Sequence, residues 1–155
     1  MTTPDQSDGP EPYLLAPRLW FGLLCEQFTR DERGRLDFQR VFNQVAYETP
    51  ADSTGIPPHG DLNGILAIGY QRGLGDFTLR ISLHDADGHQ LERGPEPIPF
   101  TLGPGADGIV LAANVRHWLR QPGQYYFALR LEPGPREDQI PFEVSASIVV
   151  AAEQA

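Results

Sequence analysis

From Asp76 to His84 apolar and polar residues alternate without a break: Phe77, Leu79, Ile81 and Leu83 against Thr78, Arg80, Ser82 and His84. Successive side chains on a strand point to opposite faces, so the pattern predicts a strand that buries one face. The same beat returns in Tyr125–Leu131 and in Phe142–Ile148, and shorter apolar stretches predict strands over Gly64–Tyr70 and Ile109–Val115. Near the start, Leu19–Thr29 and Leu36–Tyr47 read as a pair of strands joined by a tight turn at Asp31–Gly34, where Gly34 is free to take positive φ. The alternation of the return strand slips between Phe38 and Val41-Phe42, which predicts a bulge. Asp85-Ala86-Asp87-Gly88 predicts a hairpin turn into His89–Glu92. Pro97 and Pro99 interrupt the extended segment ending at Leu102 and place it at a sheet edge. The closing hairpin pairs Tyr125–Leu131 with Phe142–Val150, with Glu137 and Asp138 near its tip.

One segment competes for a helix. Leu111, Val115, Trp118 and Leu119 recur at near-helical spacing, so Arg116–Arg120 is expected to form at most one short helical turn before Pro122-Gly123. Trp118 is expected to pack in the core or a corner. The sum is about eight strands separated by turn signals, the pattern of an all-β, antiparallel immunoglobulin-like β-sandwich. A small closed barrel is the alternative. The expected organisation is a flexible N-terminal lead-in over 1–17, a single sandwich domain over 18–150 and a frayed tail over 151–155. Within the lead-in only Tyr13, Leu14 and Leu15 offer apolar surface for docking onto the body.

Composition narrows the class of function. A chain of 155 residues that is 40% hydrophobic has enough apolar material for one core without staples. The formal charge is −9, and every cation is an arginine. An acidic surface with no basic cluster repels phosphate backbones and anionic lipid heads, so neither nucleic acid nor a membrane is the expected partner. No run approaches the ~20 apolar residues of a spanning helix, and Met1–Pro10 has no apolar core to act as a secretory signal. A cytoplasmic location is the expectation. Cys25, the single cysteine, follows Leu23-Leu24 and reads as a small buried hydrophobe.

Two stretches carry a resemblance. Leu24-Cys25-Glu26, Gly34-Arg35-Leu36 and Arg40–Val45 form the first. Pro122-Gly123-Gln124-Tyr125-Tyr126-Phe127 with Pro141–Val144 forms the second. Together they resemble a family of small uncharacterised bacterial proteins with a predicted immunoglobulin-like sandwich, over most of the chain from residue 19. The resemblance implies the fold and brings no catalytic residue with it. Tyr125 also has a reading of its own: it is in phase with Phe127, Leu129 and Leu131, so it points inward, and its hydroxyl is expected to pin a loop through a backbone carbonyl.

The densest set of potential ligands is His84, Asp85, Asp87 and His89, with Glu92 beyond. Two imidazoles and two carboxylates suit a transition metal. Asp, Asp and Gly are equally the residues a hairpin turn prefers, and the turn is the simpler reading. Gly103–Gly108 matches G-x-G-x-x-G but precedes a strand and contains Pro104, whereas a dinucleotide site needs a strand before it and a helix after it. No serine lies in a nucleophile elbow. No metal, cofactor or catalytic residue is therefore expected. The long break from Glu48 to Asn63 carries Ile56-Pro57-Pro58-His59, a stiff extended element with little entropy to lose on binding. The chain is expected to be a non-enzymatic protein-interaction or accessory module that meets another protein through Ile56, Pro57, Pro58 and His59. A small-ligand or carbohydrate-binding sandwich using Trp20 or Trp118 is the alternative. A metal-dependent hydrolase at the His84–His89 turn is the third reading.

Overall fold

The computed structural model describes residues 13–50, 55–92 and 94–146. Twelve strands run through them: β1 Tyr13–Leu15, β2 Arg18–Cys25, β3 Gln27–Arg30, β4 Leu36–Gln39, β5 Gln44–Glu48, β6 His59–Gln71, β7 Leu74–Asp85, β8 Gln90–Glu92, β9 Ile98–Leu102, β10 Gly108–Leu119, β11 Gly123–Glu132 and β12 Glu137–Ser145. The protein is all-β, with no helix among the described residues. None is therefore long and apolar enough to cross a membrane. Residues 147–150 of the expected last strand, the tail 151–155 and most of the lead-in lie outside the described residues. Within the lead-in, the backbone of Tyr13–Leu15 pairs with Leu74 and Gly75 of β7.

Ten strands form one sheet and β3–β4 forms a separate ribbon. β7 is flanked by β11 on one side and by β9 and β8 on the other. β12 lies against β11, with Tyr125 opposite Phe142 and Arg130 opposite Glu137. At the other end of the path β6 pairs with β2 and, over its full length, with β10. β5 connects the two groups. Its Gln44–Ala46 run parallel to Glu143–Ser145 of β12, and its Tyr47 and Glu48 then pair antiparallel with Gly60 and His59 of β6. The sheet is therefore mixed, which corrects the all-antiparallel expectation.

The strand count exceeds the expected eight because the first predicted pair is cut into four, and the three-residue β1 and β8 add two more. β2 ends at Cys25, and only Gln27–Arg30 and Leu36–Gln39 pair as the Asp31–Gly34 turn directs. Gly34 takes φ 79° there, and Asp31 Oδ1 accepts the N–H groups of Arg33 and Arg35. The predicted bulge is instead a break. Arg40 adopts φ 57°, and beyond it Phe42 N–H donates to Leu24 O and Glu143 N–H to Asn43 O. The first bond touches β2 at a single bridge, Leu24 with Phe42, and the second delivers the chain to β12.

Burial follows period two where the sequence alternates. In β10 Leu111, Ala113, Val115, His117 and Leu119 are buried, and Ala112, Asn114, Arg116 and Trp118 are exposed. This strand replaces the helical turn expected at Arg116–Arg120. The helical spacing arose because His117, an inward residue, is polar, while Trp118, an outward one, is apolar. The loop of the closing hairpin is also shorter than expected: Glu137 and Asp138 are strand residues of β12, not tip residues. One continuous core joins side chains of both strand groups. Within it Tyr70 of β6 stacks on Phe100 of β9 at 5.8 Å, and Phe127 stacks on Phe142 at 5.5 Å. Aromatic pairs of this kind contribute about 1 kcal/mol beyond the area they bury.

Candidate interaction site

Three strand ends meet at one end of the sheet. β6 starts there with His59, β10 finishes with Leu119 opposite Gly60, and β7 finishes with Asp85 opposite Tyr125. Ile56, Pro57 and Pro58 approach β6 as an exposed segment outside the strands. His59 Nδ1 lies 2.9 Å from Pro57 O, so that nitrogen carries the proton and donates to the carbonyl. The imidazole then stacks on the Trp118 indole, with ring centroids 4.2 Å apart and planes 21° apart. The contact fixes the end of the proline segment to the outer face of β10. Trp118 stays 45% exposed and Ile56 40%, so the pair leaves two large apolar side chains facing solvent. Trp118 is thus a surface residue, which corrects the expected core or corner packing. Its period-two phase with Ala112, Asn114 and Arg116 was the signal that places it outward.

Next to this stack lies a cleft of about 540 Å³ lined by Asp85, Asp87, Leu91, Trp118, Gln121 and Tyr125, among others. Its floor is held by two hydroxyls. Tyr125 Oη donates to Gln121 O at 2.6 Å, the loop-pinning bond expected of it. Tyr47 Oη donates to Arg120 O at 3.1 Å, a tie that the sequence did not reveal. Both secure the connection between β10 and β11 from either side.

The His84–His89 segment is a hairpin turn between β7 and β8. Gly88 N–H donates to Asp85 O, and Asp85 Oδ1 accepts the N–H groups of Asp87 at 3.0 Å and His89 at 2.9 Å. The His89 bond above all holds the Asp85 carboxyl below its usual range. Ligand atoms of Asp85, Asp87 and His89 lie within 4.8 Å of one another, but His84 stands apart from that trio. It stacks on Tyr126 at 5.0 Å, faces Gly88 O through Nδ1 and sits 2.8 Å from Ser82 Oγ through Nε2. The four residues of the metal reading are therefore split between a turn and the polar face of β7. A hydroxyl and an imidazole at that distance can share a proton. The signal for this pair in the sequence is its spacing, since two polar residues at i and i+2 on a strand share one face.

The remaining candidates fall elsewhere. Trp20, 63% exposed, lies near the opposite end of the β6–β10 pair from Trp118. It packs edge-on against Phe21, which meets Phe38, which stacks on Phe28. Trp20, Phe21, Phe38 and Val110 line a second cleft, of about 670 Å³. The two tryptophans thus do not share a binding platform. Gly103–Gly108 forms the turn between β9 and β10, closed by Ala106 N–H to Gly103 O. Cys25 is fully buried, and burial pushes its thiol pKa up, the state of a packing residue rather than a nucleophile. No family model matches this chain, and no curated protein matches it.

Proposed function

We propose that this chain is an immunoglobulin-like β-sandwich acting as a non-enzymatic protein-interaction module, and that its contact surface is built from Ile56–His59 together with Trp118. Support for the sandwich comes from β5, which leaves one strand group for the other and runs parallel to the last strand. Strands that change sheets are how two stacked layers share a corner. Further support comes from Tyr125, whose hydroxyl reaches back to a carbonyl four residues upstream at the start of a strand, the corner found in such sandwiches.

The observation that carries the function is the His59–Trp118 stack. It holds a proline-stiffened segment against the sheet without consuming the exposed faces of Ile56 and Trp118. A partner would meet a surface already ordered, so little conformational entropy is lost on contact. Tryptophan is also among the side chains most enriched where binding energy concentrates. The polar groups of the neighbouring turn serve the turn itself, which leaves the non-enzymatic reading the simpler one.

A photoreactive phenylalanine analogue placed at position 56 or 118, expressed in the native host, tests this directly. Both positions should yield the same adduct with one host protein, and position 130, on the exposed side of β11, should yield none. Combining Ile56→Ala with His59→Ala should weaken the identified complex about tenfold, or roughly 1.4 kcal/mol. Equal labelling from all three positions, or none from any, would sink the proposal.

A further inference from the structure

Most open edges of the sheet carry a feature that discourages another strand from adding. β9 contains Pro99 and follows Pro97, and β1 and β8 are three residues long. β2 has a register irregularity between Leu19 and Phe21. The part of β12 beyond β5 carries Pro141, Glu137 and Asp138. Proline, charge, brevity and bulges are the usual protections of an edge. β10 is twelve residues long with no proline and no bulge, and Arg116 is its single charge. It is paired with β6 in unbroken register from Gly108 to Leu119, and no strand lies on its other side among the described residues. Such an edge presents a row of N–H and C=O groups that templates one more strand.

Two observations select the occupant. The chain carries a net charge of −9, so two copies repel across most of their surface. β10 contains no acidic residue, and Arg116 is its one residue of fixed charge. The strand is also self-complementary when run antiparallel to itself about Asn114. On the exposed side Val110 then faces Trp118 of the second copy, Ala112 faces Arg116, and Asn114 faces its own equivalent. On the core side Leu111 faces His117 and Ala113 faces Val115. Aromatic against β-branched residues and paired polar groups are favourable cross-strand neighbours, and the arginines never stand opposite each other. Val110 lines the aromatic cleft with Trp20 and Phe21. The register therefore brings Trp118 of each copy to the rim of the other's cleft and removes apolar surface from water.

We propose that β10 pairs antiparallel with β10 of a second copy about a two-fold axis at Asn114, making a symmetric dimer with a sheet continuous across the axis. The interface is isologous, so it closes at two copies. It goes beyond the interaction-module reading and does not depend on it. The two share Trp118, which the dimer seats beside Val110 of the second copy, whereas Ile56–His59 precede and open β6 and lie outside the paired strand. Failure of the dimer therefore leaves position 56 as the separate test of that reading.

Light scattering on the purified full chain should show a concentration-dependent dimer. Asn114→Cys should form an intermolecular disulfide on mild oxidation, because residues facing each other across a dyad lie within the roughly 7 Å that a disulfide spans. Ala112→Cys should not, since its two copies are displaced by four residues, or about 14 Å, along the strands. Cys25, fully buried, stays out of the reaction. Asn114→Asp, an exposed change, should weaken the dimer about tenfold by placing like charges face to face, with an unchanged circular dichroism spectrum. A chain that stays monomeric at every concentration overturns the proposal. So does cross-linking of Ala112→Cys as readily as Asn114→Cys. A monomer whose position 114 captures an extended segment of another protein overturns it in favour of that occupant.

Discussion

Two buried tyrosines show how the same residue type serves different ends. Tyr125 Oη donates to Gln121 O at 2.6 Å, so its phenol is both packed and satisfied. Tyr70 is fully buried, and its hydroxyl has no hydrogen-bond partner among the described residues. Burial pushes its phenol pKa up. A neutral hydrogen bond contributes about 1 kcal/mol, and an unsatisfied buried hydroxyl costs a similar amount. Tyr125→Phe should therefore lower the unfolding free energy by about 1 kcal/mol, whereas Tyr70→Phe should leave it unchanged or raise it by about that amount. Urea denaturation of the two variants checks this; the reverse order would refute the assignment. Tyr125 was legible in the sequence, because its phase with Phe127 and Leu129 fixed its direction and its place near the start of a strand fixed its use. Tyr70 was legible as a core residue only. Nothing in a linear pattern tells whether a buried hydroxyl meets a carbonyl.

At the scale of elements, the turn between β7 and β8 owes its shape to one carboxylate. Asp85 accepts N–H groups from His89 and Asp87 in the folded chain, and these bonds, the His89 bond foremost, lower its pKa. A group whose folded pKa lies below its unfolded value favours folding when ionised. Its contribution is complete above the ordinary carboxylate value of about 4 and is lost as the pH falls below that towards the folded value. Asp85→Asn removes the titration. Thermal unfolding followed from about pH 6 down to pH 2 should fall less steeply for the variant than for the wild type in the acid range. Parallel curves would show that the turn does not draw on the charge. The turn itself was readable from Asp, Asp and Gly, and so was the edge position of β9 from its prolines. The strand over Arg116–Leu119 was not, because a local window cannot tell an inward histidine and an outward tryptophan from a helical stripe.

At the scale of the whole molecule, β5 decides whether the two strand groups behave as one body. Val45 is buried in the strand that pairs with β12 and continues onto β6. Val45→Ala deletes two buried carbons and should cost about 1–3 kcal/mol. Because β5 bonds to both groups, the loss should appear as a lower midpoint of a single transition. The fluorescence of Trp20 and Trp118, both on the β2–β6–β10 side, should change together with far-ultraviolet circular dichroism in the variant as in the wild type. Separate transitions would mean that the groups fold independently.

The alternation of apolar and polar residues was sufficient for most strands, for the inward set of β7 and β11 and of β10 as far as Val115, and for the turns at Gly34 and Gly88, since these depend on near neighbours and on the two faces of an extended chain. Partners were another matter. The break at Arg40, the parallel seat of β5 on β12 and the stack of His59 on Trp118 join residues far apart in the chain, and each was selected by which backbone groups and ring faces remained unsatisfied once the core had closed. For the same reason the open edge of β10 was invisible before its neighbours were known: an edge is defined by the strand that is missing beside it, and only the tertiary structure says where that is.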